Sequence, residues 1–244
     1  MNYTYKSHIG RRKNNEDACR IPKTGDRLPF VAVADGMGGH RGGAVASRLV
    51  INGLGEELAH RKNPDDCTGA VKRAIETVNM DVFRAAQDDP ALNNMGSTLV
   101  MAVLFPDHYL AANVGDSRLY HFDGRAVTQI SRDHSLVELL LAQGHITPEE
   151  ALHHPNKNII TRSVGLELRV EPDFYERPWK TGDILLLCSD GLSGSVSPAE
   201  MASILSTPTL SLEEMGDQMV SLALENGATD NITLVLAQKG GDRV

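Results

Sequence analysis

Three apolar runs of the 244-residue chain close on an aspartate: FVAVAD at Asp35, LAANVGD at Asp116 and ILLLCSD at Asp190. Two more begin beside acids, with Glu16 and Asp17 before ACRI and Asp230 before NITLVLAQ. Met singly, an aspartate at a strand end is ordinary turn or helix-cap chemistry. Repetition changes the reading, because the end of one antiparallel strand and the start of its neighbour share an edge. Carboxylates gathered on that edge repel one another, and only large upward pKa shifts or a bound cation relieve the repulsion. Oxygen-only ligands favour a hard divalent ion such as Mg2+ or Mn2+, and no His/Cys set has zinc-ligand spacing. After Asp35, which can bridge cations, the chain runs GMGGHRGG. Glycines 36, 38 and 39 let the main chain approach such ions and offer the Gly36 carbonyl as a ligand.

The elements that must carry these acids show in the periodicity. Strands are predicted over 3–10, 28–35, 97–105, 108–116, 117–122, 170–178, 182–190 and 231–238. The links Pro106-Asp107, Gly115-Asp116 and Asp123-Gly124 are short enough to predict antiparallel hairpins. Helical spacing appears over 43–60 and 64–87, a pair expected to cover one sheet face, and again over 134–144 and 212–227. Met215, Met219 and Leu222 of the last helix read as core. The polar stretch 144–165 reads as a flap on the surface. Strands in blocks and helices in blocks define an α+β fold with helices packed on antiparallel sheets. One domain over 1–244 is expected, without repeats or a linker.

Composition narrows the function. A formal charge of -8 argues against nucleic acid as a partner. Cys19, Cys67 and Cys188 are scattered and odd in number, so a reducing compartment fits better than a disulfide framework. No apolar run approaches the ~18 residues that span a bilayer, and residues 1–20 lack the apolar centre of a signal peptide. A cytoplasmic, membrane-free monomer is the expectation.

The motifs RKNNED (12–17), VADGMGGHRGGAVAS (33–47), MGST (95–98), NVGDSR (113–118), DHS (133–135), ITRSVG (160–165), CSDGL (188–192) and TDNIT (229–233) follow in an order that resembles the metal-dependent serine/threonine phosphatases of the protein phosphatase 2C family. The likeness is nearest to compact, stand-alone bacterial members. It implies a four-layer αββα sandwich with a two-metal centre at one end. By position, Asp35 would bridge two Mn2+ or Mg2+ ions, Gly36 would ligate one through its carbonyl, and Asp190 and Asp230 would hold the other. Asp17 would act through metal-bound water, with Glu16 in a supporting place outside the ligand set, while Asp116 and Asp190 would share a third, weaker ion. Arg12 matches the arginine that grips substrate phosphate.

The resemblance implies phosphoserine and phosphothreonine proteins as substrates, with a Ser/Thr kinase and its targets as partners. Two ions about 3.5 to 4 Å apart lower the pKa of a shared water and supply a metal-bridging hydroxide for in-line attack, without a phosphoenzyme. The planar fork of Arg12 suits a phosphate dianion in a way Lys13 cannot copy. His40 is the candidate acid for the departing Ser or Thr oxygen, although some family members place their acid directly after Asp-Gly, where this chain has Met37. Other phosphate chemistries fail: the glycine loop lacks G-K-[ST], no second Asp follows Asp35 two positions on, and no G-x-S-x-G elbow occurs. The rival class is a regulatory module that keeps this fold and binds phosphoproteins without turnover.

Overall fold

The structure is a computed structural model that describes residues 1–38, 41–59, 66–152 and 154–240. The chain opens with β1 (Asn2–His8), β2 (Asp17–Arg20) and β3 (Phe30–Met37), followed by α1 (Gly42–Ala59) and α2 (Cys67–Asp88). Next come β4 (Gly96–Ser97), β5 (Leu99–Leu104), β6 (His108–Val114), β7 (Arg118–Phe122) and β8 (Val127–Gln129). Helices α3 (Leu136–Ala142) and α4 (Pro148–Leu152) precede β9 (Asp173–Pro178) and β10 (Ile184–Cys188). Helices α5 (Asp190–Ser193), α6 (Pro198–Leu205) and α7 (Leu212–Glu225) lead into β11 (Ile232–Gln238).

Two antiparallel sheets result. One has the order β1-β11-β10-β7-β8, the other β2-β3-β5-β6-β9 with β4 paired to β3. The inner strands β3, β5, β6, β10 and β11 are buried almost throughout because both their faces are covered, whereas the outer β1, β8 and β9 are largely exposed or half-buried. In β3 the period of two sends Val31 and Val33 into the seam between the sheets, where they meet Val100, Leu185, Leu187 and Val235. The alternate Ala32 and Ala34 face α1 and α2, packing with Leu54 and Ile75. On the far side Leu186, Leu234 and Leu236 pack against Met201, Met215 and Met219 of α6 and α7. The layers are therefore helices, sheet, sheet, helices, and the expected core role of Met215 and Met219 holds, with Leu222 partly buried beside them.

Two hairpins form as the turn residues predict, β5–β6 across Pro106-Asp107 and β7–β8 across Asp123-Gly124. The third expectation is corrected. Gly115-Asp116 joins β6 to β7, which lie in different sheets, so this link is a crossing between layers and not a hairpin. Gly115 has φ +102, and a Cβ there would stand 2.7 Å from Thr98 Cγ2, so the turn presses onto Thr98, just before β5, too closely for a side chain. Helix α6 was unforeseen, although Ser197 and Glu200 form a capping box at its start. The predicted start of the second helix at Pro64 lies outside the described residues; α2 begins at Cys67 with Asp66 accepting from Gly69 N at 2.7 Å. Within 145–165, α4 is short, and the segment is tied back at its end by the Ser97–Val164 bridge. Among the described residues no helix is long and apolar enough to cross a membrane.

Candidate active site

The acids meet at one end of the sandwich, drawn from both sheets and not from a single sheet edge. Asp17 at the start of β2 is the register partner of Asp35 near the end of β3. Asp190 opens α5 directly after β10, and Asp230 precedes β11, its antiparallel neighbour. Asp116 stands at the crossing from one sheet to the other. A cleft of about 630 Å³ at this end is lined by Arg12, Glu16, Asp35, Gly36, Asp116, Asp190 and Asp230 among others. Asp17 lies behind that lining, in the field of Asp190 and Asp230.

Local hydrogen bonds explain why the acids stay in place. Thr98 Oγ1 accepts from Asp35 N at 2.9 Å and pairs with Ser117 Oγ at 2.7 Å, so hydroxyls of the β4–β5 junction and the β6–β7 crossing fix the Asp35 main chain. Gly36 N donates to Glu16 O at 3.1 Å, bringing the two segments that carry Asp35 and Asp17 together. A Cβ on Gly36 would fall 2.0 Å from Gly43 O, so glycine is required here by the close packing of β3 on the start of α1. Ser189 Oγ donates to Asp17 Oδ2 at 2.8 Å. Arg118 holds Asp133 through both carboxylate oxygens, at 2.7 to 3.0 Å. His134 is buried and orders the crossing, accepting from Gly115 N at 3.2 Å and facing Asp173 on its other side.

The electrostatics are those of crowded acids. Burial, with Asp17, Asp190, Asp116 and Asp230 nearby, pushes Asp35 well above the usual carboxylate range. Burial raises Asp17 to about 6 against the hydrogen bonds of Ser189 and Thr233. It raises Asp116 to about 7, helped by Asp190 and Asp133. Asp190 is raised by burial and then by Asp230, and Glu16 by burial. Arg12 donates to Asp230 Oδ2 at 2.5 Å, a contact that raises its own pKa.

Two buried oxygens, Asp17 Oδ1 and Asp190 Oδ1, have no hydrogen-bond partner. Orphaned anionic oxygens inside a protein are costly, and a divalent cation is the partner their chemistry accepts. Among the described residues no three carboxylate, imidazole or thiol groups already close round one point as a finished cage. Hard ions keep water ligands and use main-chain carbonyls, so gathered acids beside Gly36 in the cleft wall fit them without such a cage.

Of the residues singled out in the sequence, Arg12, Glu16, Asp17, Asp35, Gly36, Asp116, Asp190 and Asp230 come together here. His40 lies outside the described residues. Sequence reasoning missed Thr98, Ser189 and Asn231, all buried. Each stands inside one of the quoted motifs, which was the available signal.

Comparison with known proteins gives the class. Residues 5–236 match the family described as protein phosphatase 2C. The serine/threonine phosphatase stp of Listeria innocua is 39% identical over 243 residues, spanning 98% of this chain and 96% of that protein. The crystal structure of the serine/threonine phosphatase Stp1 from Staphylococcus aureus superposes with a TM-score of 0.93 at 36% identity, covering 98% of this chain and 95% of that one. The catalytic domain of serine threonine protein phosphatase PstP, solved in complex with two manganese ions, has a TM-score of 0.85 at 35% identity over 98% of both chains. The chain belongs to the protein phosphatase 2C family and is an enzyme of its serine/threonine phosphatase type.

Proposed function

We propose that this cleft hydrolyses phosphoserine and phosphothreonine monoesters of proteins by direct, in-line attack of water on phosphorus, without a covalent enzyme intermediate. The observation that carries the reading is the convergence of Asp35, Asp116, Asp190 and Asp230 with Arg12 in one cleft. Asp35 and the Gly36 carbonyl, with Asp190 and Asp230, are assigned to two Mn2+ or Mg2+ ions, and Asp116 with Asp190 to a weaker third. When bound, these cations acidify water and neutralise the charge that develops on phosphate.

The chain's own residues do the rest. Asp17, held by Ser189 at one oxygen, is assigned to orient water with the other. Arg12 presents a planar fork of N–H donors at the cleft and is assigned to the non-bridging phosphate oxygens. Asp230 turns that fork inward. His40 is assigned to deliver a proton to the departing Ser or Thr oxygen, since an alkoxide is a poor leaving group and the protonated oxygen departs as a neutral alcohol. A Ser/Thr kinase and its targets are the proposed source of substrate, on family likeness alone.

Release of phosphate from a phosphothreonine peptide, measured with and without Mn2+ for the wild type and for Asp35→Asn and Asp190→Asn, tests the reading. Metal-dependent release by the wild type that both variants lose is expected. Equal, negligible release from all three would make the chain a phosphoprotein-binding module instead.

A further inference from the structure

Asn231 spends its whole side chain on the segment that carries Arg12. It is 5% exposed. Its Oδ1 accepts from Glu16 N at 2.8 Å, while Nδ2 donates to Ile9 O and to Asn14 O, each at 2.9 Å. One N–H and two carbonyls face it, so the orientation of the amide is fixed by its partners. These contacts fasten residues 9–16 at both ends, and Arg12 N donating to Ile9 O at 3.3 Å tightens the loop within.

The main chain beside Asn231 is gripped as closely. Gly10, at φ +60, approaches so near that a Cβ would lie 1.9 Å from Asp230 O. On the other side a Cβ on Gly191 would lie 2.0 Å from Asn231 O. The Asp230–Asn231 peptide therefore sits between the loop of Arg12 and the turn of Asp190. Asn231 N donates to Asp230 Oδ1 at 2.8 Å, leaving Oδ2 for the Arg12 guanidinium at 2.5 Å. Glu16 O in turn accepts from Gly36 N at 3.1 Å and from Ser47 Oγ at 2.6 Å, so the fastening continues to the segment of Asp35.

We propose that Asn231 is the positioning residue that sets Arg12 against the substrate phosphate. His8 Nδ1, accepting from Gly10 N at 2.9 Å, and Asn15 Nδ2, donating to Ser7 Oγ at 2.9 Å, also tie this loop, but among the described residues the hydrogen bonds that join Ile9, Asn14 and Glu16 through one side chain are those of Asn231. Aspartate would turn an oxygen toward the Ile9 and Asn14 carbonyls, and alanine would leave three main-chain groups without partners. An exposed arginine on a loop of its own would lose much of its phosphate affinity in ordering itself, and Asn231 removes that cost beforehand.

The inference rests on the assignment of Arg12 to phosphate, and a double-mutant cycle separates the two. Dissociation constants for inorganic phosphate in saturating Mn2+, with KM and kcat for an aryl phosphate, would be measured for wild type, Asn231→Ala, Arg12→Ala and the double variant. Asn231→Ala is expected to weaken phosphate and raise KM about tenfold in the presence of Arg12, and by less than about twofold in its absence. Losses of equal size in both backgrounds, or none in either, would overturn the proposal. An Arg12→Ala protein with unaltered phosphate affinity would overturn the Arg12 assignment itself. Asn231→Asp, which keeps an acceptor for Glu16 N, repeats the cycle if Asn231→Ala does not fold; should neither fold in Mn2+, Asn231 serves global stability and the proposal fails.

Discussion

Asp17 and Asp35 are direct register partners across β2 and β3, two carboxylates placed opposite one another on adjacent strands. Like charges so placed destabilise a sheet. Both side chains are pushed upward in pKa, Asp17 to about 6, with burial as the main cause. The fold holds this pair in position through Ser189 and Thr98 and so maintains an arrangement that only a proton or a cation makes comfortable.

That arrangement predicts how metal-free stability depends on pH. Asp17 and Asp116 titrate near about 6 and about 7 in the folded chain, above their unfolded range, with Asp35 and Asp190 shifted the same way. The folded state therefore holds more protons than the unfolded one in that interval, and stability falls as pH rises through it. Thermal melts in chelator should give a Tm that drops between about pH 5.5 and pH 8, and added Mn2+ should raise Tm more at the higher value. A metal-free Tm that climbs over the same range would contradict this assignment.

Arg12→Ala should act on binding. Loss of a charged hydrogen-bond partner costs about 1.5 to 3 kcal/mol in phosphate recognition, read mainly as a raised KM. Steady-state kinetics with a phosphopeptide check this, and unchanged KM and kcat would remove Arg12 from the site.

Thr98→Val should act on the scaffold. The hydroxyl is buried, accepts from Asp35 N and pairs with Ser117. Valine keeps the shape but leaves both without that partner, a cost of about 1 to 3 kcal/mol. Chemical denaturation should show the lower midpoint at unchanged m-value, and a midpoint equal to wild type would mean that these groups find other partners.

His40→Ala should distinguish leaving groups. A phosphoserine peptide needs its departing oxygen protonated, whereas an activated aryl phosphate needs little help. Loss of kcat should be larger for the peptide. Equal losses would take the acid's role away from His40.

The sequence was legible where chemistry repeats locally. The two-residue alternation of VAVA in β3, with valines in the sheet seam and alanines under α1, is visible in the residues themselves. So is the habit of strands ending or starting on aspartate, which located Asp35, Asp116, Asp190 and Asp230. What stayed hidden depends on long-range packing. Gly115-Asp116 has the composition of a hairpin turn, and only the pairing of β7 with β10 and β8, and not with β6, shows that it carries the chain into the other sheet. Asn231 reads as the first residue of the strand that follows Asp230, because its partners Ile9, Asn14 and Glu16 lie more than 200 positions away. Helix α6 could have been found from the Ser-Pro-Ala-Glu signature at its start.

The central claim is that the gathered carboxylates form a cation site. Calorimetric titration of the metal-free protein with Mn2+, beside Asp35→Asn, addresses it without any substrate. The wild type should take up at least two ions with release of protons, and Asp35→Asn should lose most of that uptake while keeping its fold. A wild type that binds no Mn2+, or a variant that binds it equally well, would contradict the account.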